Sequence, residues 1–293
     1  MTQTLASLPR LTQAQAPLTQ AVQALDEHGQ SCALSIPAER ALTVYVDKQE
    51  LITLMTLGAH PEWLVLGYLR NQRLIESARD LDSITVDWEA GEAGAGVAAV
   101  KTRAPLVDWQ LRTQTRIVTT GCGQGSMFGC AMEDLAQLRL PDTRLSQARL
   151  YGVLASVRQL ESTYKSAGSV HGCALFDGAD LRLFVEDVGR HNAIDTIAGW
   201  LSLQSDAEQP KDPLFYTTGR LTSEMVLKAA QLGVPLVVSR SGITQMGFEL
   251  AQSLGVCTVG RATHRHFYCY TAPHRFVSQP ELAVPAPTGR VSS

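Results

Sequence analysis

The second half of the chain alternates strand and helix, and this restricts the fold more than any other feature. Leu214 to Thr217 reads as a strand, and Ser223 to Leu232 as a helix closed by Gly233. Val234 to Ser239 reads as a buried strand, Thr244 to Leu254 as a helix closed by Gly255, and Val256 to Val259 as another strand. Upstream, Ile194, Ile197, Ala198 and Leu201 mark one face of a further helix. Helices crossing between apolar strands bury both faces of a sheet, which predicts a largely parallel, three-layer α/β arrangement. Before it, Leu150, Val153, Leu154, Val157 and Leu160 fall on one helical face. Cys173 to Phe176 and Leu183 to Val185 then flank Asp177-Gly178 as a hairpin.

The first part of the chain has another rhythm. Leu42, Val44 and Val46 alternate as in a half-buried strand, and Asp47 to Glu50 is a polar turn before a second strand, Leu51 to Thr56. Pro61 suits a helix first turn, where its missing N–H is harmless, and Trp63 to Leu69 continues that helix. Ile84 to Trp88, Val97 to Thr102 and Thr115 to Thr119 read as strands. The expected organisation is a flexible polar tail over 1–30, a β-rich subdomain over 31–120 and a Gly-Cys loop with its connection over 121–145. An α/β/α domain over 146–280 and a flexible tail over 281–293 complete it.

Composition narrows the function. Of 293 residues, 45% are apolar and 18% charged, the profile of a globular chain with a real core. A net charge of -3 gives no global basic field for nucleic acid, so an anionic ligand must meet a local cluster of cations. No apolar run reaches the ~20 residues of a membrane span. The N-terminus lacks a basic start and an apolar signal region, so a cytoplasmic protein is expected. Six cysteines are scattered without C-x-x-C spacing, which argues against a disulfide scaffold or structural zinc.

Cys122 is the first chemical candidate. In Gly121-Cys122-Gly123-Gln124-Gly125 the glycines leave the sulfur unshielded, as exchange with a bulky donor requires. An incidental cysteine in a Gly-rich turn explains the same residues equally well. The second candidate, Glu186 to Asn192, sits where a strand gives way to a helix. There Arg190, His191 and Asn192 are placed to hold an anion, or Asp187 merely caps the helix. Gly219-Arg220 and Ser239-Arg240-Ser241 stand at two further strand ends. Together the three segments make a convergent set of donors suited to phosphates. Arg261-Ala262-Thr263-His264-Arg265-His266 is locally basic, and without a third ligand at useful spacing it reads as an anion contact rather than a metal site. His171, just before a strand, is either a general base or a structural histidine.

These segments resemble the formate dehydrogenase accessory sulfurtransferase family, FdhD, from about Glu39 to Phe276. The most specific stretch is Val185-Glu186-Asp187-Val188-Gly189-Arg190-His191-Asn192-Ala193-Ile194-Asp195. Val170-His171-Gly172, Gly219 to Glu224, Gly233-Val234-Pro235, Val238 to Ser241 and Tyr270-Thr271 support it. The resemblance implies a cytidine-deaminase-like α/β/α domain with an added β-rich part, acting as a homodimer. It further implies that a cysteine desulfurase passes sulfur to Cys122, and that the protein presents this sulfur to the molybdenum bis-guanine-dinucleotide cofactor of formate dehydrogenase. Arg261 to His266 would then belong to the cofactor-binding segment. Gly125 replaces the second cysteine of the family's C-G-x-C-G loop, which also leaves a non-catalytic delivery chaperone as a second reading. The zinc deaminase signature is absent, so zinc-dependent deamination is not expected.

Overall fold

A computed structural model of the chain describes residues 7–91, 95–104, 116–118, 126–128 and 138–283. The N-terminal part is a five-stranded sheet in the order β1-β6-β7-β4-β5. Its strands are β1 (Arg10–Leu11), β4 (Arg40–Val46), β5 (Gln49–Thr56), β6 (Leu81–Asp87) and β7 (Gly96–Thr102). β4 alternates as its sequence demands, with Leu42, Val44 and Val46 buried between half-buried neighbours. Asp47 and Lys48 both take positive φ, the geometry of a type I′ turn, whose twist matches the strands it joins. Helix α1 (Pro61–Asn71), with Pro61 at its first position, covers the inner face and supplies Leu64, Val65, Leu66 and Leu69 to the core.

Within the segment expected to be a flexible tail, the described residues hold two strands. Residues 10–11 form β1 against β6, and β2 (Thr19–Leu25) pairs antiparallel with β3 (Ser31–Pro37). Between them Ala16 is buried, Thr12 donates to Glu62, and the Trp88 indole donates to the Ala14 carbonyl. Its polar composition hid the hairpin. Val22 and Ala24 face Leu34 and Cys32, so one side is apolar there, but Thr19, Gln20, Gln23, Ser31 and Ser35 break the pattern along both strands.

The C-terminal part is a six-stranded sheet in the order β12-β11-β13-β14-β15-β16. The strands are β11 (His171–Asp177), β12 (Asp180–Asp187), β13 (Pro213–Thr217), β14 (Leu236–Ser239), β15 (Cys257–Thr263) and β16 (His266–Cys269). β12, β13, β14 and β15 all point one way, but only β13–β14 and β14–β15 are neighbouring parallel pairs. The other pairings are antiparallel, so the sheet is mixed rather than largely parallel. The reason lies in the connections: helices cross over from β12 to β13, from β13 to β14 and from β14 to β15, but the hairpins β11–β12 and β15–β16 place an antiparallel strand between β12 and β13 and another at the edge.

Helices α4 (Arg190–Ser202), α5 (Ser223–Gln231) and α6 (Gln245–Leu254) pack on the face holding Cys173, Leu175, Phe215 and Val237. Helix α2 (Gln147–Gln159) covers the other face, over Ala174, Phe176, Leu214 and Val238. This is a three-layer α/β/α arrangement. Short strands β10 (Leu145–Ser146) and β17 (Phe276–Val277) pair beside α2. Antiparallel β8 (Arg116–Val118) and β9 (Ser126–Phe128) fall in the segment between the two parts.

The two parts meet where α1 crosses α4. A Cβ on Gly67 would lie 1.7 Å from the Asp195 carbonyl oxygen, and one on Gly199 would lie 1.9 Å from that of Trp63. Only glycine on both helices allows this approach. Beside the crossing, Asn71 Nδ2 donates to Asp195 Oδ1 at 2.6 Å and Arg70 Nη1 to Ser202 Oγ at 2.8 Å. Among the described residues no helix is long and apolar enough to cross a membrane.

Candidate functional site

A cleft of about 1310 Å³ opens at the C-terminal ends of β13 and β14, on the α2 side of the sheet. Open α/β sheets present their ligand crevices at this edge. Its far wall is the β15–β16 turn, which contributes Ala262, Thr263, His264, Arg265 and His266. Its near wall is α2 and the segment after it, with Tyr151, Arg158, Tyr164 and Lys165, while Gly172, Tyr216, Thr218 and Arg240 form the floor.

The cleft is cationic and aromatic. The Arg240 guanidinium lies 5.8 Å from the Tyr164 ring centre, and that of Arg265 lies 5.7 Å from the Tyr151 ring centre. Arg158 Nη1 stands 3.2 Å from His264 Nδ1. Glu186 is the one acid among the lining residues, and its carboxylate is already engaged. It accepts the backbone N–H groups of Thr163 and Tyr164, at 2.5 and 3.2 Å, in the first turn of helix α3 (Thr163–Ala167). Burial pushes the Tyr216 phenol up to about 12, against the pull of Arg240, so this hydroxyl stays protonated. Such a site favours an anion with planar rings: Arg binds phosphate bidentately, and its plane stacks on aromatic faces.

The expected site residues separate into three groups. Arg240 and residues 262–266 come together in the cleft, and Arg261, which starts their segment, is exposed with its guanidinium 5.9 Å from the Tyr268 ring centre. A second group lies beneath the floor. Arg190 is 3% exposed and runs under Gly219, where a Cβ would meet its Cδ at 2.5 Å. Arg190 therefore does not line the cleft, and neither does exposed Arg220, so the three strand-end arginines do not converge as expected. His171 lies beside this group with Nδ1 3.4 Å from Thr218 Oγ1, its pKa lowered by burial and by Arg190 and Arg220. Ser239 is wholly buried and donates to the Gly219 carbonyl at 2.6 Å, while its oxygen accepts the Ser241 N–H at 2.9 Å. These hydroxyl contacts shape the loops that carry Arg240.

A third group faces the N-terminal part. Asn192 Nδ2 donates to the Met55 carbonyl at 2.6 Å and to Asp187 Oδ1 at 3.1 Å. Asp187 also accepts from the Thr56 hydroxyl and from the Leu57 N–H. His191 Nε2 is 3.4 Å from Glu224 in a buried network in which Lys228 Nζ sits 2.9 Å from Asp195 and 3.1 Å from Glu224. Burial holds His191 down to about 3, despite Glu224, so it is neutral. Placing Asn192 and Asp187 at this join explains much of the Glu186 to Asp195 stretch as architecture.

Cys122 lies outside the described residues, as does Cys130. No group of three or more His, Cys, Asp or Glu side chains is arranged to hold a metal ion among the described residues. Sequence reasoning missed Tyr151, Arg158, Tyr164, Lys165 and Tyr216. Tyr151, Ala155 and Arg158 were legible in one respect, since they stand four and three residues apart on one stripe of α2.

The FdhD/NarQ family model matches residues 37–277. This chain belongs to the FdhD/NarQ family. Among curated relatives, the sulfur carrier protein FdhD of Bacillus subtilis is 29% identical over 238 residues, covering 81% of this chain and 88% of that protein. The sulfur carrier protein FdhD of Bacillus pumilus is 30% identical over 240 residues, with 81% and 88% covered. A crystal structure from Desulfotalea psychrophila, provisionally described as a formate dehydrogenase accessory protein, superposes with a TM-score of 0.67 at 24% identity. The match covers 89% of this chain and all of that one, and it shows a shared fold.

Proposed function

We propose that this FdhD/NarQ protein is a sulfur carrier in formate dehydrogenase maturation, with Cys122 as the carrying thiol. The Cys122 thiolate attacks the terminal sulfur of a cysteine desulfurase persulfide. The donor S–S bond breaks, the donor cysteine leaves as thiolate, and Cys122 holds the sulfane sulfur. The client is the molybdenum bis-guanine-dinucleotide cofactor, bound in the cleft as substrate. The observation that carries this reading is the cleft itself, large, cationic and walled by tyrosines, in a family whose curated relatives bear the name sulfur carrier. Arg240, Arg265 and Arg158 would meet the phosphates, and Tyr164 or Tyr151 would offer a ring face to the guanine base.

Gly125, where the family loop carries a second cysteine, supports one other reading: a chaperone that binds and delivers the cofactor without carrying sulfur. One experiment separates the two. After incubation with a desulfurase and cysteine, mass spectrometry is expected to find one added sulfur on Cys122. Cys122→Ala is expected to abolish maturation of formate dehydrogenase in a deletion strain. Full complementation by Cys122→Ala would eliminate the carrier reading and leave the chaperone.

A further inference from the structure

Away from the cleft floor, two thiols face each other across the last hairpin of the sheet. Cys257 opens β15 and Cys269 closes β16, and their sulfurs are 4.0 Å apart on the face packed against α2. The register pairs Cys269 with Val259, so the two cysteines are diagonal neighbours on one side of an antiparallel ladder. Threonines fix the strand ends beside them. Thr271 Oγ1 donates to the Val256 carbonyl at 2.7 Å and accepts the Thr258 N–H at 3.1 Å.

The two thiols differ in access and in chemistry. Cys257 is wholly buried, whereas Cys269 is half-buried. The two sulfurs lie within S–H···S reach, where either can donate, and Cys269 Sγ also stands 3.7 Å from the Thr271 carbonyl oxygen, while burial disfavours ionisation of Cys257. A reachable thiol with a second thiol behind it is the arrangement that oxidises reversibly, because the second sulfur intercepts the sulfenic acid before further oxidation. Cys173 provides the contrast. It is wholly buried and 3.3 Å from the Thr217 hydroxyl, and burial pushes its thiol up to about 12.

We infer that Cys257 and Cys269 form a redox-modification site, closed to a disulfide by a hydroperoxide, that fastens the base of the hairpin whose turn walls the cleft. The Cys269 sulfur attacks the peroxide, the O–O bond breaks, and the departing oxygen leaves as water. The Cys257 sulfur then attacks the sulfenic sulfur of Cys269; the S–S bond forms, the S–O bond breaks, and a second water departs. Two thiols give up two electrons and two protons, and hydrogen peroxide becomes two waters. Closing the sulfurs to a bond length of about 2 Å takes side-chain rotation plus a small shift of β16, whose pairing ends at Cys269.

This inference is independent of sulfur carriage by Cys122. The test treats the full chain with limiting hydrogen peroxide, blocks remaining thiols and maps tryptic peptides without reduction. Cleavage after Arg261 and Arg265 places the two cysteines on separate peptides. The expected result is one cross-linked pair joining Cys257 to Cys269, two hydrogen masses lighter than its parts and separated by dithiothreitol. Cys257→Ser is expected to leave a sulfenic acid on Cys269 that dimedone traps, and Cys269→Ser to leave Cys257 unreacted. If either variant fails to fold, the wild-type map decides alone. Cys269 cross-linked to another cysteine, or oxidised past sulfenic acid with Cys257 still reduced, would overturn the site.

Discussion

Asp187 sits where β12 ends against β5. It accepts from the Thr56 hydroxyl, the Asn192 amide and two backbone N–H groups, and burial still raises its pKa to about 6, above the ordinary 3.8. A folded value above the unfolded one means that the stability Asp187 contributes is complete below the unfolded pKa and is lost as pH rises through about 6. Asp187→Asn replaces this group with one that does not titrate. Its amide also meets donors in place of an acceptor, a pH-independent loss of about 1–3 kcal/mol. Wild type should therefore gain on the variant by about 2.4 kcal/mol between pH ~7.5 and pH ~4. Urea denaturation of both across that range checks it, and a constant difference would refute the raised value. Lys228, 2% exposed between Asp195 and Glu224, is held protonated by the two carboxylates against the effect of burial. Lys228→Met should cost about 3–5 kcal/mol, because it strands two buried acids, and chemical denaturation at neutral pH measures it.

Among the elements, the α1–α4 crossing tolerates least. Gly67→Ala would drive a methyl into the Asp195 carbonyl, and no side-chain rotation relieves a backbone clash at 1.7 Å. The helices must separate, breaking the bonds from Asn71 and Arg70, so we expect a loss of at least ~3 kcal/mol or failure to fold. Gly152, within α2, has nothing within 4 Å of a built Cβ. Gly152→Ala should stabilise by about 0.5–1 kcal/mol through helix propensity alone. Thermal melts of the two variants should move in opposite directions, and a Gly67→Ala protein that melts like wild type would mean the crossing is looser than described.

At the scale of the whole molecule, the cleft joins chain segments far apart in sequence. Arg158 and Tyr164 come from α2 and the segment after it, Arg240 from the end of β14, and Arg265 from the β15–β16 turn. GDP carries one guanine nucleotide unit of the proposed client, so it should bind there. Removing one charge-assisted contact costs roughly 1.5–3 kcal/mol, so Arg240→Ala should weaken GDP by about tenfold or more. Arg220→Ala, outside the cleft, should bind GDP nearly as wild type does. Persulfide loading of Cys122 should survive Arg240→Ala. Calorimetry with GDP on all three proteins tests this; equal affinity for wild type and Arg240→Ala would remove the cleft from the proposal.

What the sequence determined by itself was local in origin. Apolar alternation in Leu42, Val44 and Val46 set a strand, Pro61 a helix start, and Gly233 and Gly255 helix ends, because each depends on backbone geometry within a few residues. The basic run from 261 to 266 was legible as a local cationic cluster for the same reason: its residues are contiguous. The strand pairing of 19–25 was not, since its apolar side is two residues deep and emerges only when β3 lies alongside. Nor could sequence divide Arg190 from Arg240, two arginines at similar strand-to-helix junctions. One is roofed by Gly219 and the other opens into solvent beside Tyr164. Only the tertiary structure decides that, because burial is set by what packs over a side chain, and here the covering atoms come from a loop more than twenty residues away.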